Sequence, residues 1–119
     1  MRRPAVSVIV PVLDAGAFLA EALDSVLGQT VRDLELIVVD DGSTDDSVEI
    51  AQRRAERDAR VRPVALPRDP ATRSGARASN VGLELARGDY IARMDADDVA
   101  TPDRLAVQLK AIAARGLDV

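Results

Sequence analysis

The chain contains no cysteine and no histidine. Disulfides, thiolate or imidazole zinc sites, Ser-His-Asp triads and histidine bases are therefore excluded within it. A metal bound by these residues must be held by oxygen, which favours Mg²⁺, Mn²⁺ or Ca²⁺. Lysine is scarce as well. Lys110 is the only one, and arginine supplies 15 of the 16 basic residues. That removes the Gly-Lys-Ser/Thr phosphate loop, because Lys110 lies inside a helical pattern. Phe18 and Tyr90 are the only aromatics, so the core must be built from Val, Leu, Ile and Ala. The net charge of −4 offers no overall attraction to nucleic acid. No run reaches the ~20 apolar residues needed to span a bilayer. Arg2 and Arg3 ahead of residues 5–13 superficially resemble an export signal. The run holds Ser7 and Pro11, ends at Asp14 and lacks a clear small-residue cleavage site. A first strand is the expectation instead, and with it a cytoplasmic location.

What is present is an alternation of strand and helix patterns within 119 residues, a length that suits one domain over 1–119. Residues 6–13 form an apolar run rich in Val and Ile, the pattern of a strand covered on both faces. Pro11 cannot donate to a ladder, so regular pairing is expected to fail near it. Asp14 is a candidate helix cap, and residues 17–27 carry apolar positions at helical spacing up to Gly28. Residues 34–39 are a second strand, followed by Asp40-Asp41-Gly42-Ser43-Thr44-Asp45-Asp46. Gly42 suits a tight turn there, with Ser43 or Thr44 as cap of a helix running to about 59. A short third strand over 61–66, a loop over 67–74 and a helix over 75–87 come next. A fourth strand spans 89–94, and Thr101-Pro102 reads as the start of a last helix ending at Gly116. Four strand–helix repeats predict a parallel sheet with right-handed crossovers and helices on both faces.

Acidic residues close three of these strands: Asp14, then Asp40 and Asp41, then Asp95, Asp97 and Asp98. Each cluster alone reads as a turn or a solvated loop. In an open parallel sheet, however, the carboxyl ends of the strands share one edge, where ligands bind. If strands two and three wind outward and strand four returns beside strand one, the clusters converge. Carboxylates about 4 Å apart repel by roughly 1–4 kcal/mol, depending on the local dielectric. A divalent cation relieves that repulsion, taking ligands from carboxylates and from substrate phosphates. Other phosphate binders fit poorly. A dinucleotide fingerprint needs three spaced glycines after the first strand, and only Gly16 is there. An EF-hand loop from Asp95 would need glycine where Ala100 stands. A receiver domain would want an aspartate after the third strand, where Leu66-Pro67-Arg68 stands.

Taken together, Val6-Ser7-Val8-Ile9-Val10-Pro11-Val12-Leu13-Asp14, Val38-Val39-Asp40-Asp41-Gly42-Ser43-Thr44-Asp45, Arg77-Ala78-Ser79-Asn80-Val81-Gly82, Ala86-Arg87-Gly88-Asp89-Tyr90-Ile91, Asp95-Ala96-Asp97-Asp98 and Pro102-Asp103-Arg104-Leu105 resemble family 2 glycosyltransferases. The resemblance covers nearly the whole chain in order and spacing. It implies the nucleotide-sugar-binding half of a GT-A fold: a Rossmann-like, open, mostly parallel sheet, truncated after the fourth strand–helix unit.

By that resemblance, Pro11 and Leu13 line the base pocket, Asp41 accepts a hydrogen bond from the base, and Asp40 supports Asp41. Asp95 contacts the ribose, with Ala96 beside it, and Asp97, together with Asp95, ligates Mn²⁺ or Mg²⁺ on the diphosphate. Arg77 and Asn80 lie near the nucleotide, with Arg73 a further candidate. The resemblance implies a nucleoside-diphosphate sugar, a UDP-sugar first, for inverting transfer in cell-envelope polysaccharide synthesis. It leaves open a membrane-side acceptor and self-association. Two departures stand out. The family commonly has Tyr-Asn where Leu13-Asp14 stands, which removes an aromatic surface for the base. The acceptor-binding half and the catalytic base of the inverting reaction are expected beyond this stretch; Asp98 is a poor substitute, because it neighbours the metal ligand. The competing readings are a non-catalytic nucleotide-binding or interaction module on the same fold, and a nucleotidyltransferase. The latter usually shows a Gly-rich basic loop after the first strand, which Val12-Leu13-Asp14-Ala15-Gly16 is not.

Overall fold

Strands β1 (Val6–Val12) and β2 (Leu34–Asp40) are buried along almost their whole length, in keeping with their content of Val, Ile and Leu. The computed structural model describes residues 3–71 and 76–114. Helix α1 (Gly16–Leu27) follows β1, α2 (Ser47–Arg57) follows β2, β3 (Val61–Ala65) precedes α3 (Ala76–Leu85), and β4 (Tyr90–Arg93) precedes α4 (Arg104–Ala114). The four strands form one parallel sheet in the order β3-β2-β1-β4. This is the return of the fourth strand beside the first that brings the acidic strand ends onto one edge.

The two faces of the sheet carry different helices. Val6, Val8, Val10, Leu36 and Val38 pack with Leu19, Leu23 and Val26 of α1, Ala51 of α2 and Leu105 of α4. Ile37 and Val39 pack with Ala78 of α3 on the other face. Gly82 lets α3 approach β1 closely: a Cβ there would stand 2.5 Å from Ile9 Cγ2. Gly82→Ala gains up to ~1 kcal/mol of helix propensity. Overpacking against a buried β-branched side chain costs about 1–3 kcal/mol, so a net loss of stability is expected. Gly82→Val, which gains less propensity and adds more volume, should lose more. Urea denaturation of both variants checks the order; two unchanged midpoints would show that α3 can step away from the sheet.

Near Pro11 the pairing of β1 fails on one side only. Pairing with β2 continues through Pro11 and Val39 to Val12 and Asp40, while pairing with β4 stops at Ile9 and Arg93. Ile9 turns its carbonyl to β4, accepting from Met94 N, and Val12 turns its carbonyl to β2, accepting from Asp41 N. The missing N–H of Pro11 therefore faces the side where no ladder remains, and no bond is lost. Pro63 sits in β3, an edge strand of the described sheet, where proline is tolerated.

The helix caps also differ from the local reading. Asp14 does not cap α1; instead Asp45 Oδ2 accepts from Gly16 N at 2.9 Å, and Ser47 Oγ accepts from Ala15 N at 3.2 Å. Ser43 and Thr44 do not cap α2: its N-cap position is Asp46, and Asp45 Oδ1 accepts from Ser47 N at 3.0 Å. Helix α4 begins at Arg104 rather than at Thr101-Pro102, and buried Gln29 supplies its acceptor, Oε1 to Leu105 N at 3.0 Å. Gln29 Nε2 meanwhile donates to Thr101 O at 2.6 Å, and Ser25 Oγ accepts from Ala100 N at 3.0 Å. The end of α1 thus clamps the segment that follows β4. The expected stop at Gly116 lies outside the described residues. Among the described residues, no helix is long and apolar enough to cross a membrane.

Candidate functional site

The carboxyl end of β2 is built by glycine and two aspartates. Gly42 has φ +87°, a left-handed conformation, and a Cβ there would stand 2.3 Å from Arg68 Cα. Only glycine suits that position. The turn directs the two aspartates apart. Asp40 is turned inward, with Oδ2 accepting from Gly42 N at 3.1 Å and Ser43 N at 2.9 Å. Asp41 faces a cleft, is 5% exposed, and lies with Oδ1 2.7 Å from Arg77 Nη2. That contact supplies opposite charge, but it is not aligned as a hydrogen bond, so Asp41 Oδ1 remains without a directed donor.

Asp14 follows β1 in the left-handed region, φ 50°, which aspartate tolerates better than most residues. Its Oδ1 accepts from Thr44 N at 2.7 Å, and its own N donates to Ser43 Oγ at 2.8 Å. The β1 and β2 loops are therefore stitched to each other. Asp45 belongs to the same seam. The Ser47 hydroxyl, followed by the Gly16 and Ser47 N–H groups, holds its carboxyl below the ordinary carboxylate range against a partial desolvation.

The end of β4 supplies the third cluster. Asp95, Asp97 and Asp98 are exposed, with carboxylate oxygens within 4.8 Å of one another. Among the described residues this is the one group of three acidic side chains so placed. Three exposed oxygen donors suit Mn²⁺ or Mg²⁺, which keep waters and take one or two protein carboxylates beside substrate phosphates.

A cleft of about 370 Å³ joins the three strand ends. Pro11, Leu13, Asp14, Phe18, Asp41, Arg93, Asp95, Ala96 and Asp97 are among its walls. It lies over β2, β1 and β4, where the strand order reverses and ligands of parallel sheets bind. Its four carboxylates outnumber its basic groups, among which Arg93 is the one found in the described walls. Such a cleft carries an excess of negative charge, which a cation would offset.

Of the residues singled out in the sequence, Pro11, Leu13, Asp41, Asp95, Ala96 and Asp97 meet in this cleft. Asp40 stands behind it, Arg77 reaches it through Asp41, and exposed Asn80 on α3 is not among its walls. Arg73 lies outside the described residues. Sequence reasoning overlooked Phe18, 58% exposed on α1, and Arg93 on β4. The signal for Phe18 was an aromatic off the apolar face of its helix. For Arg93 it was a charge inside an otherwise apolar strand.

Comparison with known proteins agrees with this geometry. The chain matches Glycosyl transferase family 2 over residues 7–119. It is 42% identical over 109 residues to an uncharacterized glycosyltransferase of Haemophilus influenzae, covering 92% of this chain and 42% of that protein. Among solved structures, TarS of S. aureus in complex with UDP superposes with a TM-score of 0.80 at 26% identity, over 92% of this chain and 32% of that one. The mannosyltransferase PcManGT of Pyrobaculum calidifontis, in complex with GDP-Man and Mn²⁺, superposes with a TM-score of 0.79 at 32% identity, over 95% of this chain and 33% of that one. The chain thus spans less than half the length of each of these relatives. Its sheet order, its acidic strand ends and its match over nearly every residue place it, as a member, in glycosyl transferase family 2.

Proposed function

We propose that this chain is the donor-binding domain of an inverting glycosyltransferase, taking a nucleoside-diphosphate sugar, UDP-linked first, with Mn²⁺ or Mg²⁺. The observation that carries the reading is the convergence of buried Asp41 with exposed Asp95 and Asp97 in one cleft. In this reading the single domain 1–119 recognises the donor, and acceptor and base come from elsewhere in the full protein. Pro11 and Leu13 flank the base, Asp41 accepts its ring N–H, and Asp40 holds the Gly42 turn that aims Asp41. Asp95 meets the ribose and shares with Asp97 the holding of the metal. A metal bound there would neutralise charge growing on the departing diphosphate. Transfer to a cell-envelope polysaccharide at the inner face of the membrane completes the proposal, on family resemblance alone.

A carboxylate in the base pocket accepts from the ring N–H of uracil or guanine and opposes the ring acceptors of cytosine and adenine. Binding with Mn²⁺ should therefore favour UDP or GDP over CDP and ADP. Asp41→Asn, which keeps the shape, and Asp41→Ala should both weaken UDP by about 10–100-fold, the worth of a hydrogen bond to a charged group. Calorimetry of the four nucleotides against wild type and both variants tests this. Unchanged UDP affinity in the variants would remove Asp41 from the base pocket.

A further inference from the structure

We propose that Arg93 is an exchangeable positioning cation, paired with Asp95 in the metal-free cleft and passed to the diphosphate when metal and nucleotide bind. The inference rests on the nucleotide-sugar reading and adds a residue to it. Arg93 ends β4 with its side chain 55% exposed in the cleft wall. Its Nε donates to Ser79 Oγ on α3 at 3.1 Å, which tethers the stem and turns the outer fork towards Asp95. Nη2 lies 3.7 Å from Asp95 Oδ1, an ion pair beyond hydrogen-bond distance. The neighbouring arginines are more firmly engaged. Arg68 Nη1 donates to Gly42 O, and Arg77 Nη2 donates to Pro67 O beside Asp41. Arg93 thus has the loosest head group of the three.

A cation arriving at Asp95 displaces Arg93 electrostatically, because both compete for one carboxylate. The Ser79 tether keeps the displaced guanidinium within the cleft. A nucleoside diphosphate carries more negative charge than one divalent cation cancels, and a free guanidinium fork matches phosphate oxygens bidentately. Arg93 would therefore oppose metal binding when the cleft is empty and support diphosphate binding when it is loaded.

These opposite signs are the test. Mn²⁺ alone should bind Arg93→Gln about two- to fivefold more tightly than wild type, the range of an exposed ion pair. With Mn²⁺ saturating, the preference of wild type for UDP over UMP should shrink about tenfold in Arg93→Gln, the loss of a charge-assisted phosphate contact. Arg93→Lys should keep the wild-type Mn²⁺ affinity and only part of the UDP preference. A purely structural role would shift UDP and UMP equally. Unchanged or weaker Mn²⁺ binding by Arg93→Gln, or an unchanged UDP/UMP ratio, overturns the proposal. Wild type that binds neither nucleotide overturns the nucleotide reading and the diphosphate half with it; the Mn²⁺ titration then decides the Asp95 half by itself.

Discussion

Asp97→Ala is expected to abolish the Mn²⁺-dependent part of UDP binding while leaving the chain folded. Losing an outer-shell partner of a metal ligand already costs about 10–100-fold in affinity, and a direct ligand should cost at least as much. The ratio of UDP affinities with and without Mn²⁺ should therefore fall by at least about tenfold, towards one. The same substitution has a second consequence. Asp97 shares its loop with Asp95 and Asp98, whose oxygens lie within 4.8 Å of its own. Exposed like charges at that separation repel by about 1 kcal/mol or less each. Removing one should leave the metal-free chain equally stable or slightly more stable. A thermal melt without metal separates this result from misfolding. Asp98→Ala should give the same stability change with a smaller loss of Mn²⁺ dependence, since Asp98 is not among the cleft walls.

Glu35→Ala is expected to lower stability by about 2–4 kcal/mol without any direct effect on the cleft. Glu35 sits on β2 at the opposite end of the sheet, its side chain 3% exposed. It accepts from Ser7 Oγ on β1 at 2.6 Å, from Arg87 N at 2.7 Å and from Arg62 Nη1 on β3 at 2.8 Å. Arg62 Nη1 also donates to Leu85 O, and Ser7 Oγ accepts from Gly88 N. One carboxylate therefore ties β1, β2, β3 and the end of α3 together. Removing one partner of a buried pair costs about 3–5 kcal/mol. The expected loss is lower because Arg62 and Arg87, 33% and 47% exposed, can turn to water. Against the 5–15 kcal/mol that holds an ordinary domain, this is a large loss for one residue.

The same carboxylate gives a pH signature. Desolvation pushes Glu35 upward, but the Ser7 hydroxyl, the Arg87 N–H and Arg62 together outweigh it and hold the carboxyl below 4.5. The unfolded chain then binds this proton at higher pH than the folded one. The contribution is present in full above about 4.5 and is lost as pH falls through the folded value. Glu35→Gln should flatten that part of the acid limb, as urea midpoints between pH 3 and pH 6 would record.

Much of this architecture is legible in the residues because it is local. The Val and Ile runs of β1 and β2 report burial on both faces, and the helical spacing in 17–27 reports α1. The acidic strand ends follow from the alternation together with the handedness of parallel crossovers. What escapes a local reading is pairing across long stretches of chain. Asp45 caps α1 from 29 residues away, and Gln29 caps α4 from 76 residues away. Capping rules look within four residues, so they pointed to Asp14, Thr44 and Thr101 instead. Pro11 shows the same limit: pairing fails near it on the β4 side, as expected, but continues on the β2 side, and which side keeps its partner is not a local property. In the cleft, Asp41, Asp95 and Asp97 announce themselves by charge at a strand end, whereas Arg93 and Phe18 stand out only as exceptions to the pattern of their elements, and what they face shows why.

The central claim is that one cleft binds a nucleoside diphosphate through a divalent cation. Calorimetric titration of the folded 119-residue chain with UDP and GDP, each with and without Mn²⁺, tests it most directly. The account predicts binding of at least one nucleotide that is at least tenfold tighter with Mn²⁺, as expected for a cleft lined by four carboxylates. Binding of neither nucleotide, or binding indifferent to Mn²⁺, would contradict it.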